Sequence, residues 1–155
     1  LDGIRDVSMS GGRGDVYKRQ EVFIGVSSGN LVTKEMVRSM AAKPIIFAMA
    51  NPTPEISYDD AAEAGAYIVG TGRSDCPNQI NNVLAFPGVF RGALDVRARE
   101  INTAMKAAAV RALAGFVGEK LDREHIIPGA FEPGVAGAVA KAVSEAAIES
   151  GAART

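Results

Sequence analysis

Pro44-Ile45-Ile46-Phe47-Ala48-Met49-Ala50-Asn51-Pro52-Thr53-Pro54-Glu55 joins a short apolar run to an amide side chain set among prolines. Ile45–Ala50 has the length and continuity of a buried strand. Pro44 separates it from whatever helix comes before. Pro52 disfavours the helical region for Asn51 and keeps it extended or in a turn. In open parallel sheets ligands gather where strands end at their carboxyl edge. The stretch therefore predicts an amide donor and acceptor at the rim of a nucleotide-type sheet. A carboxamide can donate to a substrate carboxylate and accept from a neighbouring amide without adding charge. The alternative is an Asx turn, in which Asn51 bonds only local backbone.

Outward from this stretch the pattern repeats. Val22-Phe23-Ile24-Gly25-Val26 reads as a strand ending in Ser27-Ser28-Gly29-Asn30. Thr33 is placed to cap a helix through about Ala42, with Met36, Val37, Met40 and Ala41 on its inner face. Ser57-Tyr58-Asp59-Asp60 has the spacing of a capping box with Asp in the Glu position, and that helix should stop at Gly65. Ala66-Tyr67-Ile68-Val69 is the third strand, ending in Gly70-Thr71-Gly72. Strands alternating with helices through short links imply parallel pairing by right-handed crossovers. The expected fold is α/β: a partial Rossmann-like parallel sheet of about three strands, with flanking and C-terminal helices. The Val22–Val26 edge is expected to be unpaired, which invites self-pairing.

Beyond Gly72 the chain turns helical. Asn81 and Asn82 open a segment that is otherwise apolar through Phe90. The period predicts one amphipathic helix over about Val96 to Val117, with Ile101, Met105, Ala108, Ala109, Ala112 and Phe116 on one face. After Pro133 a last helix places Val135, Val139, Val143 and Ala146 on a stripe, with Ile148 on the polar side.

Composition narrows the function classes. The chain has 155 residues, 47% hydrophobic and 23% charged, as expected of an ordinary globular domain. A net charge of -1 gives no electrostatic case for nucleic acid or an anionic membrane. No apolar run approaches the ~20 residues of a membrane span. The single Cys76 excludes an internal disulfide and fits a reducing, cytoplasmic location.

The polar residues divide into two groups. Adjacent Asn81 and Asn82 at the head of an apolar segment need partners, because an unsatisfied buried polar group costs about 1–3 kcal/mol. On a helix they diverge by about 100° and cannot serve one ligand group equally. One reading has them hold ligands; the other has Asn78 or Asn81 cap a helix. Gly25-Val26-Ser27 offers approachable backbone and a hydroxyl suited to a ribose, or plain punctuation. Arg73 is expected to pair with Asp75 in solvent. His125 is read as structural and Cys76 as a bystander thiol. Asp59, Asp60 and Glu63 are assigned no metal. No Gly-x-Gly-x-x-Gly follows a strand, so the phosphate-binding half of a dinucleotide sheet is not represented.

Three blocks carry a family pattern: Phe23–Ser27, Pro44–Glu55, and Thr71-Gly72-Arg73-Ser74-Asp75-Cys76-Pro77-Asn78-Gln79-Ile80-Asn81-Asn82-Val83-Leu84-Ala85-Phe86-Pro87-Gly88, continued by Phe90–Ala98. They resemble the C-terminal part of the NAD(P)-binding domain of bacterial malic enzymes, from about Val22 to the C-terminus. The resemblance implies NAD(P)-dependent, divalent-metal-dependent (Mg or Mn) oxidative decarboxylation of malate to pyruvate and carbon dioxide by a homo-oligomer. It implies that Asn51 and Asn82 hold the substrate carboxylate. Asn81 would support the cofactor side, and Gly25, Val26 and Ser27 the nicotinamide ribose. The family's tyrosine acid, lysine base, metal carboxylates and phosphate loop match no residue here. Phe131-Glu132-Pro133-Gly134 departs from the family's Phe-Asp-Pro-Arg. The segment is therefore expected to be inactive alone, with a non-catalytic nucleotide- or protein-binding half-sheet as the alternative. Residues 1–20 carry no resemblance; Asp15–Gln20 matches the translation of a transposon-end adapter, so they read as a joined artefact, or else as a natural arm.

Overall fold

A computed structural model describes residues 17–154 and divides the chain into two compact units at Val69/Gly70. The expected arm lies outside the described residues as far as residue 16. Tyr17 is buried against Phe23, with ring centroids 5.7 Å apart, and Gln20 accepts from the Ala41 N–H at 2.9 Å.

In the first unit the strands are β1 (Val22–Gly25) and β2 (Ile45–Ala48), and β3 (Ile68–Thr71) begins there and runs across the boundary. They form a parallel sheet in the order β1-β2-β3. The β1–β2 register pairs Val22 with Ile45 and Gly25 with Ala48, so both strands reach their carboxyl ends at the same level. β1 is an edge, as its sequence suggested, and Val22, Ile24 and Val26 alternate outward into solvent. Ile46 and Ala48 face the other way, wholly buried with Val37, Ile56 and Ala61.

Helix α1 (Lys34–Arg38) starts where Thr33 predicts: its Oγ1 accepts from the Met36 N–H at 3.3 Å. It is shorter than the period implies. The Ser39 hydroxyl bonds back to the Met36 carbonyl, and Lys43 then takes φ 58° before Pro44. Helix α2 (Tyr58–Glu63) is capped as expected: Ser57 Oγ accepts from the Asp60 N–H and donates to the Asp60 carboxylate. Gly65 ends the helix in the left-handed region, φ 101°. β3 begins two residues later than expected, because the Tyr67 and Ile68 N–H groups are both drawn to the Pro44 carbonyl.

Lys34 ties α1 to α2 through Asp60 and Glu63, at 2.8 and 2.7 Å. The Lys34 hydrogen bond, seconded by Ser57, holds the Asp60 carboxyl below its ordinary range. A carboxyl depressed by folding stabilises the fold above its unfolded pKa, about 4, and loses that contribution as pH falls through the folded value. The melting-temperature gap between wild type and Asp60→Asn should therefore be open at pH 6 and close in acid. A gap that persists unchanged at pH 2.5 would contradict the assignment. The site is exposed, so the gap will be small.

The second unit is helical: α3 (Phe86–Asp95), α4 (Thr103–Val117) and α5 (Val135–Glu149). The single helix expected over Val96–Val117 is not observed. Asp95 ends α3, Arg97 adopts φ 47°, and Asn102 caps α4 by accepting from the Met105 N–H. The apolar stripe of α5 is as read, with Val135, Val139, Val143 and Ala146 buried and Ile148 exposed. Met105 and Ala109 of α4 complete that core.

Candidate functional site

The carboxyl ends of β1 and β2 form one rim. Asn51 projects from it: the residue is exposed, and its carboxamide has no hydrogen-bond partner among the described residues. The Asx-turn alternative is thereby not realised. The Asn51–Pro52 bond is cis, and Pro54 behind it is buried. Just past β1, Val26 and Ser27 are exposed, and the Ser27 hydroxyl likewise has no partner among the described residues.

At Gly25 the space a side chain would need is taken by other residues of the chain. A Cβ there would lie 2.5 Å from both Cδ and Oε1 of Glu55 and 2.8 Å from the Phe23 ring. The space is filled by protein. Glu55 is wholly buried; its Oε1 accepts from the Ser27 N–H at 2.8 Å and its Oε2 from the Ala50 N–H at 3.0 Å. The loop after β1 is laced to the turn after β2 by further backbone bonds. Asn30 N–H donates to the Pro54 carbonyl at 3.0 Å and Val32 N–H to the Glu55 carbonyl at 2.9 Å. Gly29 permits this approach, since its Cβ would lie 2.7 Å from Cβ of Thr53. Ser27 and Asn51, proposed from sequence for different ligands, thus stand on one braced rim. Sequence reasoning missed Glu55. The signal available was an acid placed between Pro54 and the apolar Ile56, immediately behind the proline turn.

In the second unit the paired amides part company. Asn81 caps a short 3-10 turn (Asn82–Leu84), its Oδ1 accepting from the Val83 N–H at 3.1 Å. Its Nδ2 remains without a partner among the described residues. Asn82 is exposed, and its whole carboxamide has no partner among the described residues. Asn78, the other cap candidate, is buried instead and tethers a loop. Its Nδ2 donates to the Arg123 carbonyl at 2.8 Å and its Oδ1 accepts from the Ile126 N–H at 2.9 Å. Asn78 adopts φ 53°, a conformation that asparagine tolerates well.

The remaining candidates behave as structural groups. Arg73 grips Asp75 through Nε and Nη2, at 2.8 and 2.5 Å, as expected, and depresses the Asp75 carboxyl. Burial pushes the Cys76 thiol up, with the Asp75 charge acting the same way, which disfavours the nucleophilic thiolate. His125 pairs with Asp122 through backbone alone. Among the described residues no group of three or more His, Cys, Asp or Glu side chains is arranged to hold a metal ion. No helix among them is long and apolar enough to cross a membrane.

Residues 16–148 match the sequence family described as malic enzyme, NAD binding domain. The chain is 64% identical over 141 residues to the bifunctional malic/malolactic enzyme of Bacillus subtilis, matching 90% of this chain and 34% of that protein. It is 52% identical over 148 residues to the NAD-dependent malic enzyme of Geobacillus stearothermophilus, matching 95% of this chain and 31% of that one. The crystal structure of malic enzyme from Pyrococcus horikoshii superposes with a TM-score of 0.86 at 46% identity, covering 94% of this chain and 34% of that chain. The chain spans about a third of the length of these relatives.

Proposed function

Because the chain belongs to the malic enzyme NAD-binding domain family, we propose that it supplies the substrate-amide and nicotinamide edge of a site that oxidises and decarboxylates malate to pyruvate and carbon dioxide. The observation that carries this reading is the free, exposed carboxamide of Asn51 at the carboxyl end of β2. Asn82 presents a second free carboxamide. Each donates from Nδ2 to a substrate carboxylate and orients it without adding charge. Main chain at Gly25 and Val26 and the Ser27 hydroxyl flank the nicotinamide ribose, and the Asn81 Nδ2 left over from capping supports the cofactor side.

The residues present fit one end of the cofactor only. Ser27 offers a free hydroxyl, but no phosphate-cradling glycine loop follows β1. Bound NAD or NADP would accept the hydride leaving the hydroxyl-bearing carbon of malate. The chain's own contribution is orientation, which supplies several kcal/mol of barrier reduction when geometry is accurate. The described residues do not fit a divalent metal.

The chain alone should produce no NAD(P)H from malate, whereas the complete enzyme containing it should. Malate-dependent NAD(P)H formation by the purified 155-residue chain would refute the division of labour. Saturable NAD(P) binding by a complete enzyme that never turns malate over would favour the non-catalytic alternative.

A further inference from the structure

We propose that Glu55 is a positioning residue that fixes the spacing between the Ser27 turn and Asn51. The inference rests on the reading of that rim as a malate and nicotinamide site. Among the described residues Glu55 is the only acid with its side chain wholly withdrawn from water. Its two carboxyl oxygens take one backbone N–H from each strand end: Ser27 two places past β1, Ala50 two places past β2. The register that pairs Gly25 with Ala48 sets Ser27 and Ala50 level, so one planar group can bridge them. Ala50 directly precedes Asn51, and the bond to its N–H fixes the Met49–Ala50 peptide, one residue before the substrate amide. The bracing is reciprocal. The Glu55 carbonyl accepts from the Val32 N–H, so the residue is held at its main chain as well as at its carboxyl. Gly25 is kept free of a Cβ because the carboxyl occupies that space.

Only a carboxylate can accept at both oxygens. Glutamine in the same place would face one backbone N–H with its own NH2. Aspartate is one methylene too short to reach both. Glu55 touches neither ligand; its effect reaches the site through Ser27 and Asn51.

In the wild-type chain, amide exchange at Ser27 and Ala50 should be slow although both residues flank exposed loops. In Glu55→Gln at least one of the two should exchange ~10-fold faster or more. In the complete enzyme, assayed well below the variant's melting temperature, Glu55→Gln should lower kcat by ~10–100-fold. KM for malate and nucleotide should change little. The deuterium isotope effect with malate labelled at the hydroxyl-bearing carbon should rise, because relaxed geometry makes hydride transfer slower relative to the other steps. A merely structural residue would lower the melting temperature without moving that isotope effect. Fast exchange at both amides in the wild-type chain would overturn the proposal even if the variant failed to fold. A folded Glu55→Gln enzyme with wild-type kcat and isotope effect would overturn it as well. Absence of malate turnover by the wild-type complete enzyme would instead overturn the functional reading, leaving the amide result to stand or fall separately.

Discussion

Gly92→Ala is expected to disrupt the helical unit, lowering its melting temperature by roughly 5–10 °C. Gly92 and Gly88 lie one turn apart on α3 and face α5. A Cβ on Gly92 would collide with the Ala140 carbonyl oxygen and lie 2.9 Å from Cβ of Val143. The first obstacle is backbone, which cannot rotate away as a side-chain tip can. The two helices would have to separate and give up the packing of the wholly buried Val139 and Val143. The hydrogen bond from the Ser144 hydroxyl to the Gly92 carbonyl, 2.9 Å, would be lost with them. Overpacking of this kind costs about 1–3 kcal/mol or more. The same chemical change at Gly137 serves as the control. It lies inside α5 with no heavy atom within 4 Å of its would-be Cβ, so alanine there should gain stability by about 0.5–1 kcal/mol. Thermal melts of both variants followed by circular dichroism check the pair. Equal shifts in one direction would contradict the packing described for α3 and α5.

Asn51→Ala and Asn82→Ala are expected to cut kcat/KM for malate in the complete enzyme by ~10–100-fold each, the worth of a hydrogen bond to a charged group. Neither residue is buried and neither carboxamide holds any part of the fold together. Their melting temperatures should therefore stay close to wild type. KM for NAD(P) should move little, because the interaction proposed for both is with the substrate carboxylate. Asn81→Ala makes the contrast. Its Oδ1 caps the turn at Val83, so that variant should lose stability as well as cofactor affinity. Steady-state kinetics with malate and nucleotide varied separately distinguish the three. An Asn51→Ala enzyme that keeps wild-type kcat/KM for malate would remove Asn51 from the substrate site.

What could be read in the sequence was what local rules determine. The Ile45–Ala48 strand, the Thr33 and Ser57 caps and the Gly65 stop each follow from a few neighbouring residues, and the structure contains them. The break between α3 and α4 was hidden because apolar residues continue across it at helical spacing. Asn102 caps α4 inside that apolar period, which masks the start of the helix. The start of β3 depended on which N–H groups the Pro44 carbonyl takes, a contact across more than twenty residues of sequence. Glu55 shows the same limit at the site. Its partner Ser27 lies 28 residues away, so the acid between Pro54 and Ile56 hints at burial but does not reveal what it bonds. Asn81 and Asn82 were indistinguishable by type; only the backbone decides which becomes the cap.

On the reading proposed above, this chain carries the substrate amides of an enzyme that couples malate oxidation to decarboxylation. The most direct test is the stoichiometry of the complete enzyme supplied with malate and NAD(P). One pyruvate, one carbon dioxide and one NAD(P)H should appear for each malate consumed, and removing both the Asn51 and Asn82 carboxamides together should lower the rate of all three by ~100-fold or more. Malate turnover that survives the double removal at the wild-type rate would contradict the account.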